Sequence, residues 1–175
     1  IAALAKAGWI FSNQEYIKMA ESITNFITKY LLLNDKDLYH QYVKGEKKYK
    51  ANLDDYAFLT WGLIELYEAT FNEKYITLAQ KLTNTILKEF WDDKSAGFFY
   101  RNKKLETLFI KEKKIHDGSL PSGNSVSLWN LIRLAHLTDN MTYYNKAEEM
   151  KKNFYFKIKE NPFSYPLFIT GLDSI

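Results

Sequence analysis

Two short stretches hold most of the side chains able to move protons or grip a polar ligand: Asn52-Leu53-Asp54-Asp55-Tyr56-Ala57, and His116-Asp117-Gly118-Ser119-Leu120-Pro121-Ser122-Gly123-Asn124-Ser125. An imidazole titrates near neutral pH, and a carboxylate can orient it or carry the proton itself, so Asp54, Asp55, His116 and Asp117 are the candidate catalytic residues for general acid-base chemistry. Ser122, Gly123, Asn124 and Ser125 offer hydroxyls, an amide and a closely approachable backbone for binding. Tyr56, Phe98 and Tyr100 offer the aromatic surface that commonly lines pockets. The same residues also have a structural reading. Asn52 with Asp55 three positions on has capping-box spacing, and Ser119 ahead of Pro121 could cap a helix start, where acidic groups also favour the helix dipole. His40, in a strand-like stretch, and His136, near a helix end, have no spacing that suggests a metal pair. Neither a metal nor another cofactor is expected.

The elements that must position these residues follow from an internal repeat. Superposing Asn13-Gln14-Glu15-Tyr16, Asn72-Glu73-Lys74-Tyr75 and Asn140-Met141-Thr142-Tyr143 gives offsets of 59 and 68 residues. In that register Ala20, Ala79 and Ala147 coincide, as do Ile23, Leu82 and Met150, then Ile27, Ile86 and Phe154, then Leu31, Phe90 and Ile158. Steps of four and three residues keep these on one stripe of a 3.6-residue helix, with Lys18, Glu21, Gln80, Lys81, Glu148 and Glu149 opposite, so each is an amphipathic outer helix. The segments before them, Ala57 to Tyr67 and Ser125 to Leu137, are apolar nearly all round and read as inner helices, and Ile1 to Ala7 as the tail of another. Short links at Ala69 to Asn72 and Leu137 to Asn140 join inner to outer helices as αα-hairpins capped by Asn or Asp.

The return connections, roughly 34–53 and 92–120, are long, and long loops are usually functional or locally structured. Leu38 to Val43 before a turn at Gly45, and Gly97 to Tyr100 paired with Thr107 to Ile110, predict two β-hairpins. An antiparallel pair returns the chain to its starting side, which predicts a common rim for the long loops and the inner-helix starts. The fold class is therefore all-α: a partial (α/α)6 toroid of about three helical hairpins with small β-hairpins in the long loops, in a single domain spanning 1–175.

Composition narrows the partners. The chain has 175 residues, 46% hydrophobic and 26% charged, with no window long and apolar enough for a membrane helix, so no membrane contact is expected. Its charge of +3 comes from lysine; Arg101 and Arg133 are the only arginines, which leaves few bidentate groups for reading nucleic acid, and none is expected as a partner. No cysteine is present, which removes disulfides and thiol chemistry and fits a cytoplasmic setting. Starting at Ile1, within a helical pattern, the chain reads as a fragment of a longer polypeptide, and a half ring would expose apolar flanks that invite self-association.

Several blocks carry a family resemblance: Ala2-Ala3-Leu4-Ala5-Lys6-Ala7-Gly8, Leu53-Asp54-Asp55-Tyr56-Ala57-Phe58-Leu59, Gly62 to Thr70, and Asp117 to Val126. With these the chain resembles the YyaL-like family of thioredoxin-domain-containing proteins, whose animal members are called spermatogenesis-associated protein 20. Phe90-Trp91-Asp92-Asp93 to Gly97-Phe98-Phe99 also looks like the loop after an outer helix in N-acylglucosamine 2-epimerase-like proteins. The resemblance implies a thioredoxin-like domain and the first hairpins upstream, the former a partner within the same protein, and a toroid similar to sugar epimerases and six-hairpin glycosidases. Two functions follow as expectations. One is carbohydrate binding or processing, as an epimerase with His116 as acid-base or a hydrolase dividing roles between Asp54 or Asp55 and Asp117. The other is a non-catalytic scaffold for the thioredoxin-like domain.

Overall fold

The computed structural model describes residues 1–104 and 112–172. The chain forms two compact units, Ile1–Thr85 and Ile86–Ile175.

In the first unit, α1 (Ala2–Ile10) and α2 (Gln14–Tyr30) make one hairpin, and α3 (Leu53–Thr70) begins the next with α4 (Glu73–Glu89), whose last residues, from Ile86, belong to the second unit. Helix α1 packs on both α2 and α3. Leu63, Ile64 and Leu66 of α3 are completely buried, each stabilising the fold by roughly 1.5–3 kcal/mol relative to exposure. Starts and stops follow local chemistry. The Asn13 side chain accepts from the Glu15 and Tyr16 amides at the start of α2, Asn72 from Lys74 at the start of α4, and α3 ends on Phe71 in the left-handed region.

Between α2 and α3 lies a three-stranded antiparallel sheet in sequential order: β1 (Leu32–Leu33), β2 (Asp37–Val43) and β3 (Glu46–Lys50). The β2–β3 hairpin turns on Lys44 and Gly45, both with positive φ, which is the two-residue turn whose twist matches the strands. Leu32, Leu38 and Ala51 are buried and anchor the sheet to its unit.

The second unit holds α5 (Gly123–Thr138), α6 (Met141–Glu160), a 3-10 turn at Pro162–Ser164 and α7 (Pro166–Leu172), with α5 packed on α6 and α7. Asn140 caps α6 through the Thr142 amide. The buried stripe of α6 is the one the repeat predicts: Tyr143, Ala147, Met150, Phe154 and Ile158.

Three expectations need correction. Helix α2 buries Ile17, Ala20 and Thr24, leaving the repeat positions Tyr16 and Ile23 exposed. Helix α5 is capped by the Ser122 hydroxyl, which accepts from the Ser125 amide, and not by Ser119. Gly97 to Tyr100 form no strand: Phe98 makes a single bridge with Trp91, because the Asn124 side chain takes both Phe98 backbone groups that a neighbouring strand would need. The proposed partner, Thr107 to Ile110, lies outside the described residues.

Candidate functional site

At the start of α3 the capping box forms as spaced: Asn52 accepts from the Asp55 amide at 3.3 Å, and Asp55 Oδ2 accepts from the Asn52 amide at 2.9 Å. Asp55 has a second role that its own segment does not reveal. The strand β2 brings His40 Nδ1 within 2.9 Å of both Asp55 oxygens. A carboxylate accepts only, so Nδ1 carries the proton, and in the neutral ring Nε2 is the basic nitrogen. The imidazole is 44% exposed and the carboxylate 23%. This is the orienter-and-base arrangement of acid-base catalysis.

Tyr56 clamps this pair into place. Its hydroxyl donates to the Lys36 carbonyl and accepts from the Leu38 amide, both at 2.9 Å, fixing the entry of β2 against α3. Its ring is buried, so Tyr56 positions the site and does not line it. Asp54 is half-buried and begins a stripe of partly accessible residues on α3: Asp54, Phe58 and Trp61, spaced by four and three. Phe58 and Trp61 lie nearly parallel with centroids 6.2 Å apart. One turn further on, the Trp61 indole donates to Glu65 at 3.1 Å, and Lys6 from α1 reaches the same buried carboxylate at 3.5 Å. Phe58, Glu65 and Lys6 escape sequence reading: Phe58 counts as apolar in a periodicity search, so α3 looks buried on every side, and Lys6 meets Glu65 only across two helices.

The second stretch is built differently. Asp117 is buried, and its two oxygens accept from the Ser122 amide at 2.8 Å and the Leu167 amide at 3.0 Å, tying the start of α5 to the start of α7. Ser122 and Ser125 bond each other at 2.9 Å, and Asn124 holds Phe98 and the Lys114 carbonyl. Ser122, Gly123, Asn124, Ser125 and Phe98 are all buried, so these candidate binding residues serve as internal fastening in this arrangement. Tyr100 is half-buried beneath the Lys114 ammonium, 4.1 Å from its ring centroid. His116 is exposed, its Nδ1 3.0 Å from the Ser164 carbonyl, which again sets Nδ1 as donor and leaves Nε2 basic.

Beside this stretch the loop at 92–97 closes around a cation from its own chain. The Lys113 ammonium lies 2.6 Å from Asp92 Oδ2, 2.6 Å from the Ser95 carbonyl and 3.1 Å from the Ala96 carbonyl. Burial pushes the Asp92 carboxyl up, but the bonds from Lys113, the Lys94 amide and the Ser95 hydroxyl outweigh it and hold the group down at about 2. Among the described residues no three His, Asp or Glu side chains cluster to hold a metal ion, and no helix is long and apolar enough to cross a membrane.

No family model matches the chain. Spermatogenesis-associated protein 20 of Rattus norvegicus is 34% identical over 123 residues, 70% of this chain but 16% of that protein, and its Homo sapiens counterpart is 33% identical over the same length. An uncharacterized protein of Caenorhabditis elegans is 26% identical over 98% of this chain and 24% of its own length. The chain thus spans about a sixth to a quarter of the curated relatives it matches. Among solved structures, a cellobiose 2-epimerase from Bacillus thermoamylovorans superposes with a TM-score of 0.70 at 20% identity, over 90% of this chain and 42% of that one. A family 76 glycoside hydrolase from Bacteroides thetaiotaomicron gives 0.64 at 15% identity, over 86% and 32%. The fold is that of part of an α/α toroid.

Proposed function

We propose that this chain, a distant homologue of part of spermatogenesis-associated protein 20 folded as a portion of an α/α toroid, is the ligand-handling part of a carbohydrate-active protein. In this reading His40 is the proton-transfer group, and the Phe58–Trp61 pair is the platform on which a sugar ring stacks. The observation that carries it is the His40 imidazole held by both oxygens of Asp55 at the start of an inner helix. Epimerisation next to a carbonyl fits better than glycoside hydrolysis. Hydrolysis asks for two carboxyl groups working as acid and base or nucleophile. Here Asp117 spends both oxygens on backbone amides, and Asp55 is divided between a cap and an imidazole. An imidazole with a basic Nε2 suits removal and return of a carbon-bound proton. His116, fixed through Nδ1 by Ser164, is a second imidazole with the same competence.

The direct test is titration of the full-length protein with mono- and oligosaccharides, following Trp61 fluorescence in wild type and in Trp61→Phe. Saturable quenching that the substitution removes supports the reading. Absence of any response to every sugar class, with the protein folded, refutes it.

The consumed side chains of the second stretch favour one alternative. Asp117, Ser122, Asn124 and Ser125 all bond internally, as expected of a scaffold that holds a thioredoxin-like domain of the same protein against a client. In that case His40→Gln leaves the cellular role intact.

A further inference from the structure

The loop at 92–97 is organised around a positive charge. Four oxygens surround the Lys113 ammonium: Asp92 Oδ2 at 2.6 Å, the Ser95 carbonyl at 2.6 Å, the Ser95 hydroxyl at 2.7 Å and the Ala96 carbonyl at 3.1 Å. The Phe99 ring adds its π face, with its centroid 5.2 Å from the nitrogen. An ammonium has three protons and cannot aim them at four oxygens together, so it is held as a charge among oxygens and not only as a hydrogen-bond donor. Both charged side chains are largely withdrawn from water, at 15% and 13% exposure.

Most of this cage is made by the loop itself. Asp92 Oδ1 accepts from the Lys94 amide, Asp92 Oδ2 accepts from the Ser95 hydroxyl, and the Asp92 amide donates to the Gly97 carbonyl, each at 2.9 Å. Ala96 and Gly97 have φ of +21° and +94°, a turn that brings the Ser95 and Ala96 carbonyls toward the same ammonium. From α6 the Asn153 amide donates to those two carbonyls at 3.0 and 3.3 Å and fixes them further. None of these bonds involves Lys113, so the oxygens are arranged by groups other than the cation they hold.

The donor set also states which cation fits. Calcium takes about six to eight oxygens and magnesium demands a near-octahedral shell, whereas this cage offers four oxygens and one negative charge. A potassium ion is close to an ammonium in size and binds readily to backbone carbonyls. We propose that the loop at 92–97 is a monovalent-cation site of potassium or ammonium size, with the Lys113 side chain as its built-in occupant. Supplying the cation from the chain frees the loop from dependence on ions in solution. It also anchors the segment that leads to His116, whose next fixed point is the Lys114 carbonyl held by Asn124. This inference is independent of the carbohydrate reading.

The test replaces Lys113 by Met in the intact protein, which keeps the aliphatic stem and removes the charged nitrogen. Melting temperatures are measured in potassium, ammonium, lithium and tetramethylammonium chloride at equal ionic strength, each relative to wild type in the same salt. Lys113→Met should melt several degrees higher in potassium or ammonium than in tetramethylammonium, with a rise that grows with cation concentration. The response should vanish when Asp92→Asn is added. Lys113→Ala, which removes the stem as well, should be stabilised by propylammonium in the same way. Equal melting of Lys113→Met in all four salts, or a response that survives Asp92→Asn, would overturn the proposal. If Lys113→Met does not fold in tetramethylammonium, folding itself is the readout: its return in potassium supports the site, and no return in any of the salts overturns it.

Discussion

Replacing Asp117 separates a fastening carboxylate from a catalytic one. Its two oxygens accept from the Ser122 and Leu167 amides at 2.8 and 3.0 Å, inside a residue only 7% exposed. A hydrogen bond to a charged group contributes about 1.5–3 kcal/mol, and a buried donor left without its acceptor costs a similar amount. The two bonds share one carboxylate, so their losses do not add in full, and Asp117→Ala should destabilise by about 3 kcal/mol. For a chain of this size that is a fall in melting temperature of roughly 6–12 °C. Asp117→Asn keeps one acceptor oxygen and should lose about half as much. Thermal unfolding by circular dichroism gives the magnitude, and amide exchange gives the location: protection should drop at Leu167 and Ser122 before it drops in α3. If Asp117→Ala melts like wild type with unchanged exchange, the fastening role is wrong.

Other perturbations probe separate parts of the account. His40→Gln should remove turnover of any sugar substrate while moving the melting temperature by less than about 0.5 kcal/mol equivalent, since exposed positions contribute little; Asp55→Asn should remove turnover and also lower stability by about 1 kcal/mol through the lost cap, both read from paired kinetic and melting data. Asp92 is held at about 2 against an ordinary 3.8, so its contribution is complete above roughly pH 4 and is lost as pH falls through the folded value. Asp92→Asn should therefore flatten the stability profile of the protein between pH 4 and 2 in urea titrations. At Gly97 φ is +94° and an added Cβ would meet the Phe154 ring at 2.8 Å, so Gly97→Ala should destabilise by at least about 1 kcal/mol in the same titrations.

The helical hairpins were legible because burial and polar caps repeat together. Asn13, Asn72 and Asn140 each open an outer helix, and the apolar stripe follows at fixed spacing. The first strand of the β2–β3 hairpin was legible from strand-forming Leu38 to Val43 ahead of the turn at Gly45, whereas β3, Glu46–Lys50, is too rich in lysine to read as a strand. Other features depend on partners distant in sequence. His40 meets Asp55 across a strand, fifteen positions away, so neither segment advertises the pair. Asp117 looked catalytic because nothing near it in sequence announces that Leu167 will claim an oxygen. Helix α7 has no counterpart in the repeat; it opens on Pro166, in the first helical turn, where the missing amide costs nothing. Tyr16 and Ile23 share the repeat pattern of buried residues, but burial also requires a neighbour, and the repeat alone does not supply one.

The central claim, that His40 oriented by Asp55 transfers a proton on a carbohydrate, is tested most directly by incubating the full-length protein with reducing sugars in deuterium oxide and following the sugar proton next to the carbonyl carbon by NMR. The account predicts exchange of that proton with wild type and none with His40→Gln at equal folded concentration. Exchange undiminished in His40→Gln, or no exchange with any sugar by folded wild type, would contradict it.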